Sequence, residues 1–174
     1  MERIREIYLD RETIAARVAQ MGAQITRDYC GKSLYVVCVL KGSIVFCADL
    51  IRAIELPVQL DTMSVSSYEN ATVSSGNVRI RQDLSHDVAG KDVLIVEDII
   101  DSGRTIAALT GVLRARNPAS VRVATLLDKP SRRETEIQGD YVGFTIPDAF
   151  VVGYGLDYAQ RYRNLPYLAV LETE

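Results

Sequence analysis

The stretch Val93–Thr105, VLIVEDIIDSGRT, decides how this chain folds. It opens with a continuous apolar run, without polar alternation, which predicts a strand over Asp92–Val96 buried on both faces. Glu97 and Asp98 follow at the carboxyl end of that strand, the edge where ligands sit in open α/β sheets. Asp101-Ser102-Gly103-Arg104-Thr105 then turns into a helix, expected over Thr105–Arg116. A helix N-terminus presents unpaired N–H groups and the positive end of the helix dipole, so it attracts phosphate. Gly103 lets the backbone approach a ligand closely. Ser102 and Thr105 add hydroxyl donors.

Three carboxylates beside a phosphate cradle need a reason. Two unit charges ~4 Å apart repel by about 4 kcal/mol at an effective dielectric of roughly 20. A bare phosphate gains nothing from Glu97, Asp98 and Asp101, and the GxxxxGKS or GxxxxGKT pattern of P-loop NTPases is absent. A ligand with a ribose diol, a divalent cation and a proton to be removed uses all three acids. Its hydroxyls donate to carboxylates, and Mg²⁺ bridges carboxylate, hydroxyl and diphosphate oxygens. Taken singly, each acid also reads as a strand-end charge or, for Asp101, as a helix N-cap.

Working outward, Asp10 caps a helix expected over Arg11–Tyr29, with Ile14, Val18, Met21 and Ile25 on one face. Leu34–Leu40, LYVVCVL, is a second buried strand, ended by Lys41-Gly42-Ser43, and Ile44–Ile54 reads as a helix. Val58–Ser66 and Val121–Leu127 are further strands. Strands alternating with helices predict an α/β fold, a parallel sheet covered on both faces. Ser67–Asp83 departs from this rhythm: it is polar, rich in serine and contains the turn signal Gly76-Asn77. A mobile lid or a hairpin is expected there. Beyond Asp128 only short strand-like runs occur, Phe150–Val152 and Leu168–Leu171, and the tail reads as an irregular cap. A length of 174 residues suits one domain.

Composition removes several classes of function. The net charge of −3 argues against the basic stripe of a nucleic-acid partner. No apolar stretch is long enough to span a membrane. The charged start MERIREIYLD lacks the apolar core of a signal peptide, so a cytoplasmic protein is expected. Cys30, Cys38 and Cys47 are odd in number and show no metal-binding spacing, which fits thiols in a reducing compartment. His86, the sole histidine, lies between strand-like segments as an exposed loop residue, so no histidine-based mechanism is expected.

VLIVEDIIDSGRT resembles the phosphoribosyl-diphosphate motif of type I phosphoribosyltransferases. The doublet Glu97-Asp98 with Ile99-Ile100-Asp101 is most similar to the hypoxanthine–guanine branch. The likeness continues through Leu40-Lys41-Gly42, Ser67-Tyr68, Asp128-Lys129 and Phe150–Arg163 with its VVGYGLDY core. It implies the type I phosphoribosyltransferase fold, a central parallel sheet flanked by helices with a small C-terminal hood. The hood is expected mainly from about residue 129 to 174 with part of the N-terminus, and a flexible loop from about 67 to 83. The implied substrates are phosphoribosyl diphosphate with Mg²⁺ and a 6-oxopurine, the products a nucleotide and diphosphate. Homodimers or homotetramers are usual in such a family.

The same resemblance implies roles. Lys41-Gly42, a plain surface turn if read alone, resembles the diphosphate loop, which tends to carry a cis non-proline peptide. Ser43 stands where some relatives have a second glycine. Ser102, Gly103, Arg104 and Thr105 belong to the phosphate loop, and Glu97 and Asp98 hold ribose hydroxyls, in part through metal. Arg163 resembles the arginine that holds diphosphate, and Asp157 a residue near the base and a second metal. Asp101 is the candidate general base at purine N7. Lys129, otherwise a loop lysine, donates to the 6-oxygen; Phe150, otherwise a core aromatic, stacks on the base; the Val151 backbone meets its pyrimidine edge. Ser67-Tyr68 heads a loop that closes over the reacting centre. Two other readings stay open: a transferase for another base such as xanthine, and a regulator that keeps the sugar-diphosphate site. The latter usually needs a basic face or an added DNA-binding domain.

Overall fold

Alternate residues of the buried strands face two separate apolar layers. Leu34, Val36 and Cys38, with Leu94 and Val96, join one core cluster. Tyr35, Val37 and Val39, with Val93 and Ile95, join another. The continuous apolar runs therefore arise because each face of the sheet meets its own helices. The computed structural model describes residues 2–67 and 78–173.

In chain order the elements are β1 (Glu2–Leu9), α1 (Arg11–Asp28), β2 (Leu34–Leu40), α2 (Ile44–Ala53), β3 (Gln59–Ser67), β4 (Val78–Gln82), β5 (Asp92–Ile100), α3 (Arg104–Arg114), β6 (Ser120–Asp128), β7 (Tyr141–Thr145), β8 (Val151–Val152) and β9 (Leu168–Thr173). The main sheet has the order β4-β3-β2-β5-β6-β7. Its strands pair in parallel except β3 with β4. Helix α1 starts where expected, with the Asp10 carboxylate accepting the Thr13 N–H at 2.8 Å. Ile14, Val18, Met21 and Ile25 are all buried in the layer that α1 and α2 share. Helix α3 covers the opposite face through Ile106, Leu109 and Leu113.

Two expectations need correction, and two elements were not expected in the form they take. Strand β5 does not stop at Val96 but runs on to Ile100, so Glu97 and Asp98 lie within its last turns of pleat. Of the two readings of the polar stretch after Ser67, the hairpin is the one the described residues show, since Val78–Gln82 returns as β4 antiparallel to β3. Tyr68 and the rest of residues 68–77, where the lid was expected, lie outside the described residues. The segment beyond Asp128 is not all cap: Tyr141–Thr145 pairs in parallel with β6 as the edge of the main sheet. Edge position hid it, because only Tyr141 of its five residues is fully buried and no continuous apolar run results. Strand β1 was also invisible, for its sequence ERIREIYL is charged and mostly exposed. It pairs with β9, which pairs with β8, in a second sheet of three strands.

Asp61 ties the far edge of the main sheet together. It is buried in β3 and accepts the Tyr35 hydroxyl at 2.6 Å and the Ser85 N–H at 2.7 Å. His86 stands exposed beside it, 3.9 Å away. Burial pushes the Asp61 carboxyl up, but hydrogen bonds from Tyr35 and from the Thr62, Ser85 and His86 backbone outweigh it and hold it below the ordinary value. A lowered acid stabilises the fold above its unfolded value, and that stability is lost as pH falls through the folded one. Asp61→Asn should therefore cost about 1–3 kcal/mol in denaturant unfolding at neutral pH. The gap from the parent should stay constant down to pH ~4 and narrow below it.

Candidate active site

The carboxyl ends of β2 and β5 meet at one point. Asp98 on β5 presses against the loop after β2, so that a Cβ added to Gly42 would lie 1.8 Å from Asp98 Oδ2. Only glycine fits there. The Leu40–Lys41 peptide just before it is cis, as the resemblance implies. Ser43 is fully buried and its hydroxyl donates to the Val39 carbonyl at 2.6 Å, which ties the loop back onto β2. Lys41 is exposed and its Nζ donates to Gln160 Oε1 at 3.4 Å, the same oxygen that lies 3.5 Å from the Arg163 guanidinium.

Glu97 and Asp98 are adjacent acids in a desolvated strand end. Burial, then the charge of Asp98, pushes Glu97 well above the usual carboxylate range. Burial pushes Asp98 up as well, against the pull of hydrogen bonds from Glu97 and the Ile99 backbone and of the Arg163 charge. The Ile99 N–H donates to Asp98 Oδ1 at 2.8 Å. Such a pair is poised for a partner that brings positive charge or hydroxyl donors.

The turn into α3 is built around Gly103, which sits at φ 81° in the left-handed region as the helix N-cap. A Cβ there would meet Thr135 Oγ1 at 2.4 Å, so the turn is packed from behind as well as strained for any other residue. The expected N-cap role for Asp101 is therefore not its role here. Asp101 Oδ1 is buried without a hydrogen-bond partner among the described residues. Ser102 Oγ accepts from the Arg104 N–H at 3.3 Å, and the Arg104 guanidinium pairs with Glu134.

The segment after β6 braces this turn, which sequence reasoning missed. Arg133 pairs with Asp128 and donates to the Asp101 carbonyl at 3.2 Å. The Glu134 N–H donates to the Ser102 carbonyl at 2.9 Å. Nothing in the spacing of these residues marks them, because the contacts cross from one loop to another.

Two cavities open at the β5 end. One, of ≈ 290 Å³, is lined by Gly42, Glu97, Asp98, Thr105, Asp157 and Arg163 among others. Another, of ≈ 230 Å³, is lined by Asp101, Lys129, Phe150, Val151 and Leu156, and shares Asp98, Ile99 and Asp157 with the first. Lys129 is buried in the second, its side chain 8% exposed. Phe150 is not core, as it is 50% exposed and meets Tyr158 edge-on with ring centroids 5.8 Å apart. Arg163 spans the boundary: it donates to the Gly155 carbonyl at 2.7 Å and pairs with Asp157 at 2.7 Å. Arg161, two residues before Arg163, pairs with Glu2 and so links this turn to β1. Ser67 pairs with Val78 at the β3–β4 edge through its backbone. Among the described residues no three metal-ligating side chains converge.

Residues 5–159 match the phosphoribosyl transferase domain family. The chain is 51% identical over 169 residues to a hypoxanthine-guanine phosphoribosyltransferase of Bacillus subtilis, covering 97% of this chain and 94% of that protein. It is 48% identical over 171 residues to the bifunctional protein TilS/HprT of Listeria monocytogenes, covering 98% of this chain but only 26% of that much longer protein. The crystal structure of a hypoxanthine phosphoribosyltransferase from Staphylococcus aureus superposes with a TM-score of 0.94 at 48% identity, covering 97% of this chain and 92% of that one. Together with a glycine-crowded acid pair, a braced turn at the start of α3 and adjoining cavities, these matches place the chain in the phosphoribosyltransferase family.

Proposed function

We propose that the protein transfers ribose 5-phosphate from 5-phospho-α-D-ribosyl 1-diphosphate to hypoxanthine or guanine, forming the nucleotide and diphosphate. The observation that carries this reading is the pair of cavities sharing Asp98, Ile99 and Asp157. One offers acids and a cation to a sugar diphosphate. The other offers a buried lysine and an exposed ring to a flat base.

The turn from Ser102 to Thr105 holds the 5′-phosphate. Glu97 and Asp98 accept hydrogen bonds from the ribose hydroxyls, and Lys41 and Arg163 face the diphosphate. Purine N9 attacks C1′ as the C1′–oxygen bond to diphosphate breaks, and the N7 proton passes to Asp101. The buried, unpartnered Asp101 Oδ1 supports that last assignment. Phe150 stacks on the base, worth about 1–3 kcal/mol. Lys129 donates to the 6-oxygen, and the Val151 backbone meets the pyrimidine edge. An amino group at that position would face an ammonium with no acceptor, so adenine is disfavoured.

Glu97 and Asp98 suit Mg²⁺, being hard oxygen donors whose burial leaves them short of positive charge. Among the described residues no third acid converges, so ligand oxygens would have to complete the shell, and Asp157 would join it only by giving up Arg163. When bound, the ion neutralises charge on the diphosphate leaving group. A cytoplasmic setting fits three unpaired cysteines, one exposed and two buried. Assembly as a homodimer or homotetramer belongs to the same reading, and the apolar groove between α1, α2 and Asn164–Pro166 is available to a second copy. Among the described residues no helix is long and apolar enough to cross a membrane.

Mixing the protein with Mg²⁺, the sugar diphosphate and each purine in turn should give nucleotide, read by absorbance, from hypoxanthine or guanine and not from adenine. Product from no 6-oxopurine sinks the proposal, and product from xanthine alone redirects it. Asp101→Asn should lower kcat by about 10²–10⁴ and leave the KM for sugar diphosphate largely intact. Gly42→Ala should displace Asp98 and cut kcat/KM for the sugar diphosphate by at least ~10-fold, while thermal unfolding shows the fold retained.

A further inference from the structure

We infer that Asp148 positions Lys129 for base selection, its carboxylate holding the ammonium where it donates to the purine 6-oxygen. The inference rests on the purine role proposed above for Lys129.

Burial disfavours a bare ammonium, so a lysine only 8% exposed needs an opposite charge nearby. The acid before it, Asp128, is taken by Arg133. Asp98, Asp101 and Asp157 line the same cavity, but Asp157 is taken by Arg163, and the reading above gives Asp98 to the ribose and Asp101 to the N7 proton. Asp148 Oδ1 stands 3.7 Å from Lys129 Nζ. The same oxygen accepts from Arg132 Nε at 2.9 Å, which fixes the carboxylate rather than leaving it to rotate.

The backbone sets both partners. Lys129 N–H donates to the Ile100 carbonyl at 3.0 Å, and the Lys129 carbonyl accepts from Arg132 N–H at 3.2 Å. On the other side, Ile146 N–H donates to the Asp128 carbonyl at 2.9 Å, which brings the loop after β7 alongside. That one loop delivers Asp148 to the lysine and, two residues on, Phe150 to the base pocket. The Asp148 side chain is 49% exposed, and a pair so placed contributes little to folding. Its consequence is orientation of the one donor that faces the 6-oxygen.

Steady-state kinetics on four variants test this. Lys129→Met should raise the KM for hypoxanthine and leave that for sugar diphosphate unchanged. Asp148→Asn should raise the KM for hypoxanthine ~10-fold, with kcat and the KM for sugar diphosphate within about twofold. Asp148→Glu should restore most of the loss. In the Lys129→Met background, Asp148→Asn should add less than about twofold. If Lys129→Met leaves the base KM unchanged, the purine role of Lys129 falls and this inference with it. If Lys129→Met has its effect but Asp148→Asn does not, or the two effects multiply, Asp148 alone is misassigned. Should Asp148→Asn fold poorly, Asp148→Ser carries the same comparison.

Discussion

Asp98 and Gly42 touch more closely than any side chain at position 42 permits, and much of the site follows from that contact. It brings the carboxyl ends of β2 and β5 together, so the loop proposed to face diphosphate and the acids proposed to face ribose share one wall. The cost is electrostatic. Glu97 is buried and Asp98 half-buried beside it, and both are pushed toward the protonated form. A strand end built for stability alone would not keep this pair. It makes sense where a ligand supplies hydroxyl donors and positive charge.

The hood extends the same logic. Its Gly155 turn packs on the Gly42 carbonyl and holds Arg163, whose charge eases Asp98 while its guanidinium pairs with Asp157. Meanwhile the stretch after β6 braces the phosphate turn through Arg133 and Glu134 and presents Lys129 to the second cavity. Sugar side and base side are thus linked through Asp98, Ile99 and Asp157, the residues both cavities share. Bond exchange at C1′ requires that adjacency, since the incoming nitrogen and the leaving oxygen must flank one carbon.

Legibility in the sequence tracked burial and locality. Strands β2, β5 and β6 were readable because residues buried on both faces leave continuous apolar runs. Helix α1 was readable from Asp10 and the spacing of Ile14, Val18, Met21 and Ile25. Strands β1 and β7 were not, because one is charged and exposed and the other is an edge. At the site, Glu97, Asp98 and Asp101 announced themselves as acids out of place beside the serine-glycine turn at Gly103. Lys129 and Phe150 were named only through family resemblance, and their surroundings bear on that assignment: one is buried in the second cavity, the other exposed at it. Arg133 and Asp148 left no local signal, since their partners lie across loops and depend on tertiary packing.

A crystal structure of the protein with inosine 5′-monophosphate would show where each part of the nucleotide sits. Phosphate is expected on the Ser102–Thr105 turn, ribose hydroxyls on Glu97 and Asp98, and the base against Phe150 with its 6-oxygen on Lys129. A nucleotide bound with its phosphate on Lys41 and Arg163, or with its base away from Lys129, contradicts this placement.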